Sequence, residues 1–335
     1  MRAVEIRQFG GPDVLVATER EDPVPGAHDV LIRTAAIGVN FSDVWVRLGA
    51  DRDVTPPVVP GIEVAGTVEA VGSEVACRFA VGDYVVGMPV FTRGTYAELV
   101  AVPAEWTFRI PKRLAPEVTA ALPVNYLTAY CAVEHAGRVR EGDRVLVQAG
   151  AGGVGLAAVQ LAWRRGADVY ATASPFKHGA LIEEGVVEAI DYRTRDFREE
   201  IKRLTGDGVD LVVDGVGQDD YRASMESLRF GGRVVAYGYT AGVTSKTERP
   251  VDPGEALEAA SVSLIELLSE GRGFVGVHMD AGRERLECWL AQLVEWYEQG
   301  EIRPRIDSIL PLRDAAVAHE RLQERQNVGK IVLVP

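Results

Sequence analysis

The feature that most constrains this chain is a glycine-rich string. The apolar run Arg144–Val147 leads through Gln148-Ala149 into Gly150-Ala-Gly-Gly-Val-Gly155. Glycines at 150, 152 and 155 give the pattern G-x-G-x-x-G between an expected strand and an expected helix over Val154–Arg164. In such a turn the first glycine permits the tight reversal, the second lets backbone approach a pyrophosphate, and the third lets helix and sheet pack closely. The helix N-terminus then offers free N–H groups and a positive dipole end to the phosphates. The bland alternative is a glycine-rich turn with no ligand. The surrounding alternation argues against it.

That alternation begins near Thr119. Short apolar strands at Val145–Gln148, Asp168–Thr172, Ala189–Asp191, Leu211–Asp214 and Arg233–Tyr237 are separated by helix-like segments. This predicts βαβ units and a parallel sheet covered on both faces. Before residue 120 the chain reads differently. Strands at Ala3–Arg7, Asp29–Ala36, Ile62–Val71 and Tyr84–Met88, with turns at Pro23–Gly26 and Val81–Asp83, predict a strand-rich, barrel-like domain. Ala241–Glu255 reads as a loop. A helix over Ala256–Ser269, a sixth strand at Phe274–His278, a helix over Arg283–Glu298, a strand at Ile302–Asp307, a helix over Leu312–Glu324 and a strand at Gly329–Val334 follow. This tail is too short for a core of its own and is expected to rejoin the N-terminal domain. The expected class is α/β, with 1–120 and 279–335 forming one discontinuous domain and 121–278 a doubly wound, Rossmann-type domain.

Composition narrows the partners. The 335 residues suffice for two domains, and 47% apolar content supports real cores. A formal net charge of −13 argues against nucleic-acid and anionic-membrane partners. No apolar stretch approaches the ~20 residues of a membrane span. The opening MRAVEIRQFG lacks the apolar core of a signal peptide. Cys77, Cys131 and Cys288 are odd in number and widely spaced, as expected of free thiols in a cytoplasmic protein.

The end of the second strand separates two dinucleotides. A carboxylate about 20 residues past the glycines would accept from the ribose hydroxyls of NADH and repel a 2′-phosphate. Here Ala171-Thr-Ala-Ser-Pro-Phe-Lys177 contains none, while Ser174 and Lys177 suit a phosphate. Tyr192 can add a hydroxyl. NADPH is therefore expected.

With these residues in view, the chain resembles the zinc-independent quinone oxidoreductase branch of the medium-chain dehydrogenase/reductase superfamily. The likeness rests on Gly38-Val-Asn-Phe-Ser-Asp43, Pro60-Gly-Ile-Glu-Val-Ala-Gly66, Val71-Gly72, Gly82-Asp83, Val124-Asn-Tyr-Leu-Thr-Ala-Tyr130, Ala149–Gly155 and Asn327-Val-Gly-Lys330. Ile190-Asp-Tyr192, Gly276-Val-His278, Ile306-Asp-Ser308 and Asn327–Pro335 are similar to the vesicle amine transport protein subgroup. Ala171–Lys177 is similar to the enoyl reductase domains of polyketide synthases. The resemblance implies a GroES-like domain completed by the tail, an inserted Rossmann domain, and a homodimer joined through the last strand near Phe274–His278. It also implies cofactor contacts from Asn40, Thr128, Gly150, Gly152, Gly153, Val154, Val216, Tyr237, Gly238, Tyr239, Phe274, Val275, Gly276, Arg325, Asn327 and Lys330.

Zinc-dependent relatives bind catalytic metal with a Cys, a His-Glu pair and a further Cys or Asp. Here Asn40 stands at the Cys position and Ile62-Glu63 at the His-Glu position, and Asp83 to Leu114 holds no cysteine for a structural site. No metal is therefore expected. What remains is transfer of hydride to an acceptor that is already electrophilic, a quinone or an α,β-unsaturated carbonyl. Trp45 and a tyrosine-free Leu48–Pro57 leave the proton donor open among Asp43, Tyr96 and solvent. Gln148-Ala149-Gly150 stands where many relatives have His-Gly-Ala or His-Ala-Ala, and a slight change at the strand end rather than in the cofactor type is expected. Two further readings stay open: a tailoring reductase on polyketide-like substrates, and a cofactor-binding protein with little catalysis.

Overall fold

The inner strands Arg144–Val147, Asp168–Thr172 and Val209–Asp214 are apolar and buried along most of their length. They lie accordingly within a fully parallel sheet. Its order is Glu188–Ile190, Asp168–Thr172, Arg144–Val147, Val209–Asp214, Leu228–Ala236, Gly273–Gly276. Counted along the chain this is 3-2-1-4-5-6, with the order reversing between Arg144–Val147 and Val209–Asp214. Sheets buried on both faces read as near-continuous apolar runs. Leu146, Val212 and Val234 are fully buried, packed with Ile190, Ile201 and Leu228. The glycine turn leaves the C-terminal end of the first strand and enters the helix Gly153–Arg164.

The computed structural model describes residues 1–51, 53–217, 219–243, 247 and 264–335. These divide into two compact units. One holds the parallel sheet and runs from Asn125 to Gly242, with the described residues 264–305. The other comprises Met1–Val124, Ile306–Pro335 and residues 243 and 247. In this second unit a sheet runs Ile306–Pro311, Lys330–Val334, Asp29–Val39, Val64–Val71, Tyr84–Gly87, Thr107–Arg109, and Leu99–Pro103 also pairs with Asp29–Val39. The tail strand Lys330–Val334 lies antiparallel to Asp29–Val39, with Ile331 opposite Val39. The tail thus completes the N-terminal sheet.

Several element boundaries differ from the sequence reading. The strand expected at Ile302–Asp307 lies at Ile306–Pro311, because Pro304 interrupts the ladder and Ile306 is the first residue to pair, with Lys330. The helix Leu286–Glu298 starts later than expected, preceded by a 3₁₀ segment Met279–Arg285. It belongs to the parallel-sheet unit, although 279–335 was expected to join the N-terminal domain. The packing explains this: Tyr130 stacks on Trp289 and Trp296 at centroid distances of 5.2 and 5.8 Å. The helix expected over Ala256–Ser269 is seen as Leu264–Glu270, its first residues lying outside those described. Most of the expected loop Ala241–Glu255 also lies outside them.

Candidate functional site

Two sets of polar residues stand out, one in each unit. In the parallel-sheet unit the glycine turn behaves as its spacing predicts, with one difference. A Cβ at Gly155 would lie 2.4 Å from the Ala149 carbonyl oxygen, so the third glycine is required for helix and turn to touch. At Gly152 the nearest atom to such a Cβ is 3.4 Å away, which leaves space in front of the helix N-terminus. The difference concerns the tight reversal. The left-handed residue is not Gly150 but Ala149, at φ +50°. Gly150 is needed instead for proximity, since its Cβ would lie 2.7 Å from that of Ala171. Helix-starting N–H groups have no partner within the helix, so the open space at Gly152, beside the N–H groups of Gly153 and Val154 in the first turn, fits a phosphate. Asn125, not singled out from sequence, lies against Gly153, with its amide where a side chain at 153 would stand.

At the end of the second strand Ser174 and Lys177 are both buried. Ser174 precedes and Lys177 ends a 3₁₀ turn, Pro175–Lys177, in which the Lys177 N–H donates to the Ser174 carbonyl at 2.9 Å. The Lys177 ammonium lies 5.4 Å from the centre of the exposed Phe176 ring. Tyr192 is exposed beside Arg193. No carboxylate stands between Thr172 and Lys177. The loop 215–217 packs on the segment 237–239: a Cβ at Gly215 would meet the Tyr237 ring, and one at Gly217 the Tyr239 ring. Val216, Tyr237, Gly238 and Tyr239 are thereby brought together. Thr128 lies partly exposed on the helix Pro123–Tyr130. Phe274, Val275 and Gly276 form the edge strand of the sheet.

In the other unit, Asn40 caps the helix Phe41–Arg47 in a reciprocal box with Asp43, whose Oδ2 accepts the Asn40 N–H at 2.8 Å. The Asn40 side chain is held twice: its Nδ2 donates to Glu63 Oε1 at 2.7 Å, and its Oδ1 accepts from Lys330 Nζ at 2.7 Å. Lys330 is also paired directly with Glu63. Glu63 Oε2 accepts the Val124 N–H at 2.9 Å. A buried ammonium, a carboxylate and an amide are thus bonded to one another, at Lys330, Glu63 and Asn40. Among the described residues, no three His, Cys, Asp or Glu side chains gather as a metal site. Asn327 braces the tail turn through its Nδ2, which donates to the Gly329 carbonyl at 2.8 Å. Arg325 sits in the left-handed region at φ +57°.

Beneath Asn40 lies a second cluster. The Tyr96 hydroxyl donates to Asp43 Oδ2 at 3.1 Å and lies 3.0 Å from His319 Nε2. Burial raises the Asp43 carboxyl to about 7, against the opposing pull of the Asn40 N–H, Lys330 and Tyr96. Burial, then the Asp43 charge, pushes the Tyr96 phenol well up. Burial and nearby Arg47 hold His319 well below the usual imidazole value, so it is neutral. Arg47 is bonded to Gln323. Both proton-donor candidates, Asp43 and Tyr96, are fully buried. Arg47, His319 and Gln323 were not singled out from sequence. Their only signal is the i, i+4 spacing of Asp43 with Arg47 and of His319 with Gln323.

Comparison with known proteins covers the whole chain. The model of the zinc-binding dehydrogenase family matches residues 185–333, and that of the alcohol dehydrogenase GroES-like domain matches 26–112. The human synaptic vesicle membrane protein VAT-1 homolog is 39% identical over 343 residues, covering 100% of this chain and 86% of that protein. The mouse quinone oxidoreductase is 32% identical, covering 100% and 98%. The crystal structure of Escherichia coli quinone oxidoreductase complexed with NADPH superposes with a TM-score of 0.87 at 28% identity, covering 100% of both chains.

Proposed function

The chain belongs to the medium-chain dehydrogenase/reductase superfamily of oxidoreductases, and from that premise we propose that it is an NADPH-dependent, zinc-independent reductase of quinones or α,β-unsaturated carbonyls. One observation carries the cofactor: open space before Gly152 at a helix N-terminus, beside the strand-order reversal of a 3-2-1-4-5-6 sheet. Ligands of open α/β sheets bind at that reversal. Gly150, Gly152, Gly153 and Val154 take the pyrophosphate. Ser174, Lys177 and Tyr192 take the 2′-phosphate. Val216, Tyr237, Gly238 and Tyr239 line the cofactor's path, and Thr128, Phe274, Val275 and Gly276 serve its nicotinamide end. Asn40, Lys330, Asn327 and Arg325 contribute from the GroES-like unit.

Bound NADPH supplies a hydride, and the protein supplies orientation and exclusion of water. Zinc independence is supported by the pairing of Lys330 with Asn40 and Glu63, which already neutralises the carboxylate. An acceptor that needs no Lewis acid fits this arrangement. Self-association through the edge strand Gly273–Gly276 is part of the same reading. Phe230, Leu264, Ile265 and Leu268 are all more than two-thirds exposed in the parallel-sheet unit.

The test is NADPH oxidation by the purified protein against a panel of quinones and enones, with and without a chelator. Turnover indifferent to the chelator is expected. Tight NADPH binding with no turnover on any acceptor would favour a second reading, a binding protein with little catalysis. The higher identity to the VAT-1 homolog than to the quinone oxidoreductase motivates that reading.

A further inference from the structure

A line of hydrogen bonds crosses the C-terminal edge of the parallel sheet, and cofactor contacts do not account for it. The Ala149 N–H donates to Thr172 Oγ1 at 3.1 Å, and the Thr172 hydroxyl donates to Gln148 Oε1 at 2.6 Å. From the other end of that amide, Gln148 Nε2 donates to Ser224 Oγ at 3.5 Å. The Ser224 hydroxyl donates to Asp214 Oδ2 at 2.7 Å. Asp214 Oδ1 accepts the N–H groups of Val216 and Gly217 at 2.7 and 3.3 Å. Thr172, Gln148, Ser224 and Asp214 are all buried.

Each hydroxyl donates once and accepts once, so the four bonds from Ala149 to the Asp214 carboxylate all point the same way, and the Val216 and Gly217 N–H groups meet that carboxylate from the other side. Bonds with common polarity strengthen one another in a low-dielectric interior. The middle position needs a group that accepts at one end and donates at the other, which a carboxamide does.

The two ends of the line give it a purpose. One is Ala149, the left-handed residue that opens the glycine turn. The other is the loop 215–217, which rests on Tyr237 and Tyr239. Between them lies the reversal of strand order, and Gln148 sits on it, its own N–H donating to the Val213 carbonyl at 2.9 Å.

We infer that Gln148 is a positioning residue that ties the glycine turn to the loop 215–217, so that a dinucleotide meets both in a preset geometry. This rests on the NADPH reading. Gln148 acts through Ala149 and Asp214 rather than by touching the ligand, and it raises affinity by preorganisation. A side chain of similar shape with no polar ends leaves the Thr172 and Ser224 hydroxyls buried with a lost partner.

The experiment is a double-mutant cycle on NADPH affinity, read by NADPH fluorescence with thermal midpoints recorded alongside. Gln148→Leu is expected to raise the Kd about tenfold, the consequence of roughly 1.4 kcal/mol of lost organisation. Ser224→Ala is expected to weaken binding less. The double variant is expected to bind like Gln148→Leu alone, because the line is already cut. Thr172→Val combined with Ser224→Ala provides a second cycle if Gln148→Leu does not fold. These two residues share Gln148 as their bridge, so non-additive losses support the coupling. An unchanged Kd, or losses that simply add, overturns the role of Gln148. If the unaltered protein shows no affinity for NADPH, the cofactor reading falls and this role with it.

Discussion

The line from Ala149 to Asp214 uses each of its side-chain hydroxyl protons once and ends on a carboxylate that accepts three hydrogen bonds. The network beneath Asn40 in the other unit follows a different rule. It buries Glu63, Lys330, Asp43 and Arg47 together, and Asp43 Oδ1, Arg47 Nε and Nη1, and His319 Nδ1 find no partner among the described residues. The first network holds backbone in place and ends on a single carboxyl, Asp214, which burial raises against its three hydrogen bonds. The second holds several charges in a small volume and contains a carboxyl that titrates near neutrality. A saturated network fixes geometry, whereas a charged and incompletely satisfied one responds to pH and to loss of a partner. The comparison assigns geometric work to the parallel-sheet unit and electrostatic work to the GroES-like unit.

The sharpest way to break that contrast is to remove the cation. Lys330→Ala leaves Glu63 buried without its counter-charge, and urea denaturation is expected to show a loss of about 3–5 kcal/mol. Adding Glu63→Gln is expected to recover much of it. A loss below about 1 kcal/mol, of the size usual for exposed pairs, would mean that the pair is not electrostatically isolated.

The next effect concerns the geometric side. Gly155→Ala drives a Cβ against the Ala149 carbonyl and is expected to weaken NADPH binding at least about a hundredfold, with a lowered thermal midpoint. Gly152→Ala meets no atom closer than 3.4 Å. It is expected to keep the thermal midpoint and lose about tenfold in affinity, because the Cβ occupies space meant for ligand. Equal effects of the two variants on stability would contradict the distinction between a packing glycine and an approach glycine.

The smallest effect is a slope. Asp43 sits at about 7 when folded, above its ordinary value of 3.8. The folded state therefore holds this proton more tightly than the unfolded chain does. The stabilisation from that difference is complete below about pH 4 and is lost as pH rises through about 7. Asp43→Asn is expected to flatten this part of the stability profile between pH 4 and 7, measured by denaturant midpoints. A wild-type profile and a variant profile of the same slope would remove Asp43 as the titrating group.

How far these features were legible in the sequence follows from their range. The glycine turn lies within six consecutive residues, and strand, turn and helix are local, so its place was readable. The strand Asp168–Thr172 was placed without error, since its apolar run is bounded by Gly166 and by Pro175. Ala149 was missed as the left-handed residue because the four glycines that follow it suit that conformation better. Asn40, Glu63 and Lys330 were each visible, but Glu63 and Lys330 are 267 positions apart, and only the pairing of Lys330–Val334 with Asp29–Val39 brings the tail to Asn40. Gln148 was visible only as a departure at a strand end. Its partners Thr172, Ser224 and Asp214 come from two other strands and a helix, and strand order is what makes them neighbours. Spacing shows which residues share a face, and tertiary pairing decides which faces meet.

The most direct test of the account is a calorimetric titration of the purified protein with NADPH and with NADH in the same buffer. The absence of a carboxylate between Thr172 and Lys177, with Ser174 and Lys177 at that strand end, predicts that NADPH binds about tenfold or more tightly. Lys177→Ala is predicted to bring the two affinities together. Equal affinities in the unaltered protein, or a preference for NADH, would contradict the account.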